Sequence, residues 1–151
     1  VTQSTPHIIF LVAETTYGIS TEFVQQMEML EQITRVPNAP AYVDGVVYLR
    51  GQVVPVINLR SRFGRERIAY DIRARLIVVN LGGRVVGLAV DAAREYLAIP
   101  DDLILPPPAA LNEDGTGFIA GVASLKDRLV MILDVAQVVT SAETERLRLA
   151  A

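Results

Sequence analysis

The sequence predicts a mainly β protein made of two small five-stranded barrels packed against each other, and three observations carry that reading. First, short runs rich in Val and Ile are broken at brief intervals by Gly, Pro, Asn and Asp, the pattern of short strands joined by turns. Second, the chain repeats itself. Placing Gly18 over Gly87 brings Ile8 and Ile9 onto Ile77 and Val78, and Ile19 onto Leu88. Placing Gly45 over Gly121 lays YVDGVVYLRGQVVPVINLRSRF on FIAGVASLKDRLVMILDVAQVV without a gap, Arg50 meeting Lys126. Third, each copy has roughly 60 residues, too few for a thick core of its own, so the two must share apolar surface. A barrel also removes the unpaired sheet edges that invite aggregation.

The elements follow in order. HIIFLVA (7–13) is a strand; a polar turn and the strand YGIS (17–20) follow. His7 opens the first strand near the terminus and is expected at the surface. Pro37 and Pro40 bracket a loop, and APAYVDG forms a helical turn. VVYL and VVPVI are two strands with Arg50-Gly51 at the turn between them, where Gly supplies the positive φ that a two-residue hairpin needs. Pro55 lacks an N–H, which places its strand at a sheet edge or a bulge. Asn58 caps the short helix LRSRF, which stops at Gly64. In the second copy, LIVVNLGGRVVGLAV (76–90) is strand, tight turn and strand. Pro100 to Gly117, with three prolines at 106–108, reads as a long extended connection over the surface. Its tip, Asn112 to Gly117, is expected to be flexible and open to proteolysis. Lys126-Asp127 is the matching hairpin turn. Asp134 opens a helix that runs into TSAETERLRLAA, or else Ser141 with Thr144 and Glu145 starts a separate tail helix. The boundaries are one domain over 1–151, with subdomains at approximately 7–63 and 74–139 and a helical tail at 140–151.

Composition narrows the function. Apolar residues make up 51% and charged residues 21%, a globular balance. The longest apolar run, Ile8 to Ala13, falls far short of the roughly 18 residues of a membrane span. With no cysteine there is neither a disulfide nor a thiolate metal site, which fits a reducing cytoplasm. One histidine and scattered carboxylates make a poor zinc site. Pairs such as Asp101-Asp102 and Glu113-Asp114 read as solvated loop acids. The net charge is −3 and the densest basic group, Arg60, Arg62, Arg65 and Arg67, reads as the solvated surface around a helix end. LGGR (81–84) lacks the lysine and hydroxyl of a phosphate-binding loop. Ser61 has no nucleophile elbow around it. The four Phe and five Tyr are too dispersed for a base-stacking platform. The chain therefore reads as a binding or scaffold protein, not an enzyme, with no cofactor, no metal, no nucleic acid and no direct membrane contact.

TRVPNAPAYVDGVVYLRGQVVPVINLRSRFG (34–64) resembles the CheW family of chemotaxis coupling proteins, whose pattern here is close to P-x-x-G-V-x-N-L-R-G followed by a Pro-containing strand and D-L-R. GGRVVGLAVD (82–91), LILPPP (103–108) and FIAGVASLKDRLVMILD (118–134) resemble its later landmarks, in order and over nearly the whole chain. The resemblance implies two SH3-like barrels joined by an apolar seam, with short helices and a C-terminal helix. It implies a non-catalytic, cytoplasmic adaptor coupling the cytoplasmic tips of methyl-accepting chemoreceptors to the regulatory domain of a CheA-type histidine kinase. Contact with other CheW-like barrels is implied as well. A receptor tip is a helical hairpin, which suits a groove between the barrels; the flank of the first barrel is left for the kinase. Position by position, Arg50 falls on the arginine of receptor and kinase contact, Gly45 near the kinase-facing surface, and Val24 in the receptor-facing region. Pro40, Tyr42 and Val43 fall on a loop of barrel-to-barrel contact. Tyr48 departs from the usual Asn, and Asn58 from the usual Asp. Gln26 stands where relatives often carry Glu, which would leave Arg50 with only an amide partner and freer to meet an acid on another protein. The rival readings are the CheW-like regulatory domain of a larger kinase or coupling–receiver protein, and a nucleic-acid-binding pair of barrels, which needs a basic aromatic groove.

Overall fold

The computed structural model describes residues 3–112 and 117–139. They form eleven strands: β1 (Ser4–Val12), β2 (Thr15–Ser20), β3 (Val24–Met29), β4 (Val43–Leu49), β5 (Gln52–Asn58), β6 (Arg75–Leu81), β7 (Arg84–Val90), β8 (Ala92–Pro100), β9 (Ile104–Leu105), β10 (Ile119–Ser124) and β11 (Leu129–Leu133). Two short helices, α1 (Leu59–Arg62) and α2 (Val135–Val139), follow β5 and β11. The strands make two sheets, ordered β8-β1-β2-β11-β10-β9 and β3-β6-β7-β5-β4. The mainly β class and the two-part architecture stand as expected, although one sheet has six strands rather than five because the two-residue β9 adds to it. The tail, 140–151, and most of the 112–117 tip lie outside the described residues; Asn112 itself is pinned, exchanging side-chain bonds with both backbone groups of Ile119.

The repeat recurs in the hydrogen-bond register. Val56 pairs in parallel with Gly87, and Ile132 pairs in parallel with Gly18. The bulge at Val43/Gly45 opposite Ile57 and Val56 recurs at Ile119/Gly121 opposite Leu133 and Ile132. A third bulge, Val24/Gln26 against Val79 and Val78, recurs as Ala93/Glu95 against Phe10 and Ile9.

The two copies do not each make their own barrel, however. The β1–β2 hairpin joins β8 and β11 of the second copy, and the β6–β7 hairpin joins β3 and β5 of the first. The unit around the five-stranded sheet is thus the continuous stretch 24–90, inserted between Ser20 and Ala92 of the other. This replaces the expected division at 7–63 and 74–139. The reason is physical: the two hairpins are equivalent copies, so either satisfies the edges of either remaining set of strands, and a repeat pattern does not encode which. Both sheets curl closed by the same device. Thr34 exchanges backbone bonds of 2.9 and 2.8 Å with Val46, tying the chain that leaves edge strand β3 to edge strand β4. In the other sheet, the chain leaving edge strand β8 returns as β9 against β10.

Each unit has a small core: Val47, Val54, Val56, Leu76, Val78 and Ala89 in one, and Ile9, Ile99, Ala123, Val130 and Ile132 in the other. The largest buried cluster lies between them and draws on both, with Phe10, Val12 and Ile19 from one unit against Ile57, Ile77, Val79, Val86 and Leu88 from the other. β6 accordingly buries both faces, Leu76 and Val78 inward and Ile77 and Val79 toward the seam.

Three local expectations change. Pro55 is not on an edge strand, because β5 runs between β7 and β4. Its partner Val46 spends its backbone groups on Thr34, so Val46 and Pro55 form a non-hydrogen-bonded pair. The missing N–H therefore points toward β7, where the ladder begins only at Val56. His7 is 2% exposed rather than on the surface, since β1 begins earlier, at Ser4, and β8 runs alongside it. Its Nδ1 lies 2.8 Å from the Thr5 carbonyl. The 100–117 connection is not uniformly extended: it holds a turn of 3-10 helix at Asp101–Leu103, strand β9, and a second 3-10 turn at Ala109–Asn112. The caps hold as read. Asn58 accepts from the Ser61 N–H, Asp134 from the Gln137 N–H, and Gly64 turns with φ 73° as α1 ends.

Candidate interaction site

Leu49 pairs with Gln52, so Arg50 and Gly51 alone make the β4–β5 turn. Their φ values of 48° and 79° are the left-handed pair that matches strand twist in a two-residue hairpin. A bulky residue at the first of these positions is strained, on the order of 1 kcal/mol or more. Arg50 is exposed, and among the described residues no hydrogen bond or ion pair holds its guanidinium. Beside it Tyr48 and Val53 face each other across the strands at 69% and 64% exposure. An unpaired cation at a fixed tip, flanked by an aromatic and an aliphatic side chain, has the composition of an interface hot spot.

The other expected site residues lie elsewhere and do different work. Gln26 donates its amide to Glu28 at 2.7 Å and makes no bond to Arg50, so the expected amide partnership is absent. Val24 opens β3 opposite Val79 and packs half-buried on the seam cluster. Gly45 is buried in the β4 bulge with φ 143°; a Cβ there would lie against the Thr34 carbonyl oxygen, 2.7 Å from its carbon. Tyr42 and Val43 are 6% and 8% exposed, core residues rather than contact residues. The Tyr42 carbonyl accepts from the Asn58 N–H, and the half-buried Pro40 accepts from the Val43 N–H.

Sequence reading missed a second surface. In β3, Met27 stands opposite Ile77 and Met29 opposite Arg75, so both methionines share the seam face of the sheet. They are 43% and 52% exposed. Tyr96, the position equivalent to Met27 in the repeat, stands opposite Ile8 at 67% exposure. The seam's apolar face thus continues to the surface from both units. The signal was present only as the short alternation Met27-Glu28-Met29, because the bulge between Val24 and Gln26 breaks the period of two before it.

On another side of the seam, α1 links the units. Arg62 stacks its guanidinium 4.4 Å from the Tyr42 ring and 4.7 Å from the Phe118 ring, and its Nε donates to the Val138 carbonyl at 2.9 Å. Arg60 clasps Asp91 through Nε and Nη2 at 2.9, 3.0 and 2.6 Å. That carboxylate holds Arg60 above the usual guanidinium range. These arginines are fixed parts of the fold rather than a solvated fringe. Tyr17, Phe63 and Phe118 continue as neighbouring rings at 5.1 and 5.6 Å, and with Arg62, Leu111 and Ile119 they line a cleft of about 340 Å³.

Tyr70 lies over the core of the 24–90 unit, its hydroxyl buried with no hydrogen-bond partner among the described residues. Burial first, then the nearby Asp44 and Asp91 carboxylates, push its pKa above the usual 10.0. A raised folded-state pKa favours the neutral phenol, so this contribution is complete below about pH 10 and is lost as pH rises through and beyond it. Tyr70→Phe removes the unpartnered hydroxyl. The expected outcome is unchanged or higher stability at pH 7 and a shallower decline above pH 10, read from urea midpoints across pH 7–11; a steeper decline contradicts it.

Known proteins decide the family. The CheW-like domain matches residues 6–143. The chain belongs to the CheW family. It is 34% identical over 136 residues to the chemotaxis protein CheW of Klebsiella aerogenes, covering 90% of this chain and 82% of that one. To the CheW of Rhizobium meliloti it is 32% identical over 138 residues, 91% and 89% of the two chains. The crystal structure of the scaffolding protein TtCheW from Thermoanaerobacter tengcongensis superposes with a TM-score of 0.83 at 29% identity, over 93% of this chain and 96% of that one. The chain is accordingly a chemotaxis coupling adaptor of CheW type. Among the described residues no helix is long and apolar enough to cross a membrane.

Proposed function

We propose that this adaptor works in the cytoplasm by holding two proteins at once, without catalysing a reaction. The apolar seam rim takes the helical hairpin at a chemoreceptor tip. The β4–β5 flank takes the regulatory domain of a CheA-type histidine kinase. The observation that carries the second assignment is Arg50: a guanidinium on a rigid two-residue turn, exposed, and beside two exposed apolar side chains. The first assignment is supported by Met27, Met29 and Tyr96, which carry the seam's apolar face outward from both units. A helix laid along such a rim would bury alternate anchors in a groove. Val24, at the seam end of β3, belongs with the receptor face, and Gln26 with its margin. Gly45, Pro40, Tyr42 and Val43 support the kinase face from beneath. Each contact alone is modest; joined in an array they gain strength from effective concentration.

The test is Arg50→Ala. Affinity for the kinase regulatory domain falls by about 1–2 kcal/mol, roughly 5- to 30-fold, while the melting temperature holds. Titration calorimetry with each partner reads the first quantity and a thermal melt the second. Unchanged affinity for both partners overturns the assignment of Arg50.

A further inference from the structure

Among the described residues the chain crosses between its two units at two places, Thr21–Phe23 on the way into the inserted unit and Asp91 on the way out. Asp91 therefore sits on the boundary, and it grips both sides. Its N–H donates to the Leu11 carbonyl at 3.0 Å, and its Oδ2 accepts from the Ala13 N–H at 2.9 Å, both on the β1–β2 hairpin of the outer unit. Its two carboxylate oxygens also receive Arg60 of α1, from the inserted unit. The pair is largely shielded, with 16% and 18% of the two side chains exposed.

Two further features lie on this contact. The hairpin turn that Asp91 holds is Ala13-Glu14, with φ of 48° and 74°, a left-handed pair formed without glycine. Such a turn persists where its surroundings over-determine it, and Asp91 supplies that support. The other feature is α1 itself. Arg60 ties its start to the hairpin through Asp91, and Arg62 ties its end to Phe118 and Val138 of the outer unit. Tyr17, on the strand leaving the Ala13-Glu14 turn, and Phe63, just after α1, then meet across the seam at 5.1 Å.

We propose that Asp91 is a positioning residue that fixes the angle between the two barrels, and through it the width of the seam. In its absence the hairpin and α1 are released from each other at a point where a single side chain holds both. The consequence for binding rests on the functional reading above: a ligand spanning both barrels senses the angle, whereas a ligand on the β4–β5 flank of one barrel does not.

The experiment uses the full chain with Asp91→Asn, which keeps size while removing the charge that holds Arg60. The sequence has no cysteine, so Arg73→Cys in one unit and Asp127→Cys in the other give unique spin-label sites; their parent side chains are 74% and 78% exposed. The interlabel distance distribution is expected to broaden. Exchange of the Ala13 amide is expected to accelerate about tenfold, with the seam amides of Ile77 and Val79 unchanged. Affinity for a receptor-tip helical hairpin is expected to fall about fivefold, with kinase-domain affinity held within about twofold. An unchanged distance distribution overturns the proposal. So does equal loss of both partners, which marks a merely structural role. If the unsubstituted chain binds neither partner, the functional reading fails, and the label distances still decide the role of Asp91. Should Asp91→Asn not fold, Arg60→Gln leaves the Ala13 bond in place and must widen the same distribution; no widening overturns the proposal in the same way.

Discussion

Gly45→Ala is expected to cost about 3 kcal/mol or more and to open the barrel formed by residues 24–90. Two penalties coincide there. The φ of 143° belongs to a region that L side chains rarely adopt. A Cβ would also press on the Thr34 carbonyl, which is backbone and cannot rotate away, and on Ile33 Cγ2 at 2.9 Å. Relief requires moving the 33–34 segment outward, and that breaks the two bonds between Thr34 and Val46 that close the sheet. Gly64→Ala is the control. It shares the positive φ, at 73°, but its Cβ would meet nothing within 4 Å. It should cost only about 1 kcal/mol. Urea midpoints of the two variants measure the difference, and a Gly45→Ala loss no larger than that of Gly64→Ala defeats the argument. A weakened kinase contact in Gly45→Ala would then arise from the collapsed β4 edge, with no direct touch by residue 45.

This contrast shows which parts of the molecule a sequence exposes. The Asn58 cap, the stop at Gly64 and the Arg50-Gly51 turn were legible because each depends on a few adjacent residues and one backbone geometry. The duplication was legible because aligned glycines mark aligned bulges and close approaches: Gly18 and Gly87 sit at equivalent points of the two parallel ladders, where a Cβ would crowd Val130 or Leu76. The exchange of hairpins was not legible, since nothing local distinguishes one copy's edge from the other's. Nor was the burial of His7 and Tyr42, which β8 and the β5–α1 corner produce from far along the chain. Of the candidate site, Arg50 could be found because turns are exposed. Met27, Met29 and Tyr96 went unnoticed because their neighbours in space are strands some 50 to 90 positions away.

The exchange leads to the second large effect: residues 24–90, although continuous and equipped with a closed five-stranded sheet, are not expected to fold when made alone. Their private core is Val47, Val54, Val56, Leu76, Val78 and Ala89, five aliphatic side chains and one methyl. Their other apolar face, including Ile57, Leu59, Ile77, Val79, Val86 and Leu88, lies in the seam cluster and is covered there by Phe10, Val12, Ile19 and other residues of the outer unit. Exposing those six side chains removes on the order of 10 kcal/mol of burial, as much as the whole stability of an ordinary domain, about 5–15 kcal/mol. The isolated segment should therefore give no cooperative thermal transition and should bind a hydrophobic dye, while the full chain melts in one step. A well-dispersed amide spectrum from the excised segment refutes this. The same seam that makes the halves inseparable also supplies the apolar rim at Met27, Met29 and Tyr96. A partner seated there would rest on the cluster that holds the fold together. Its binding should accordingly raise the melting temperature of the whole chain, because any opening of the seam must first release the ligand.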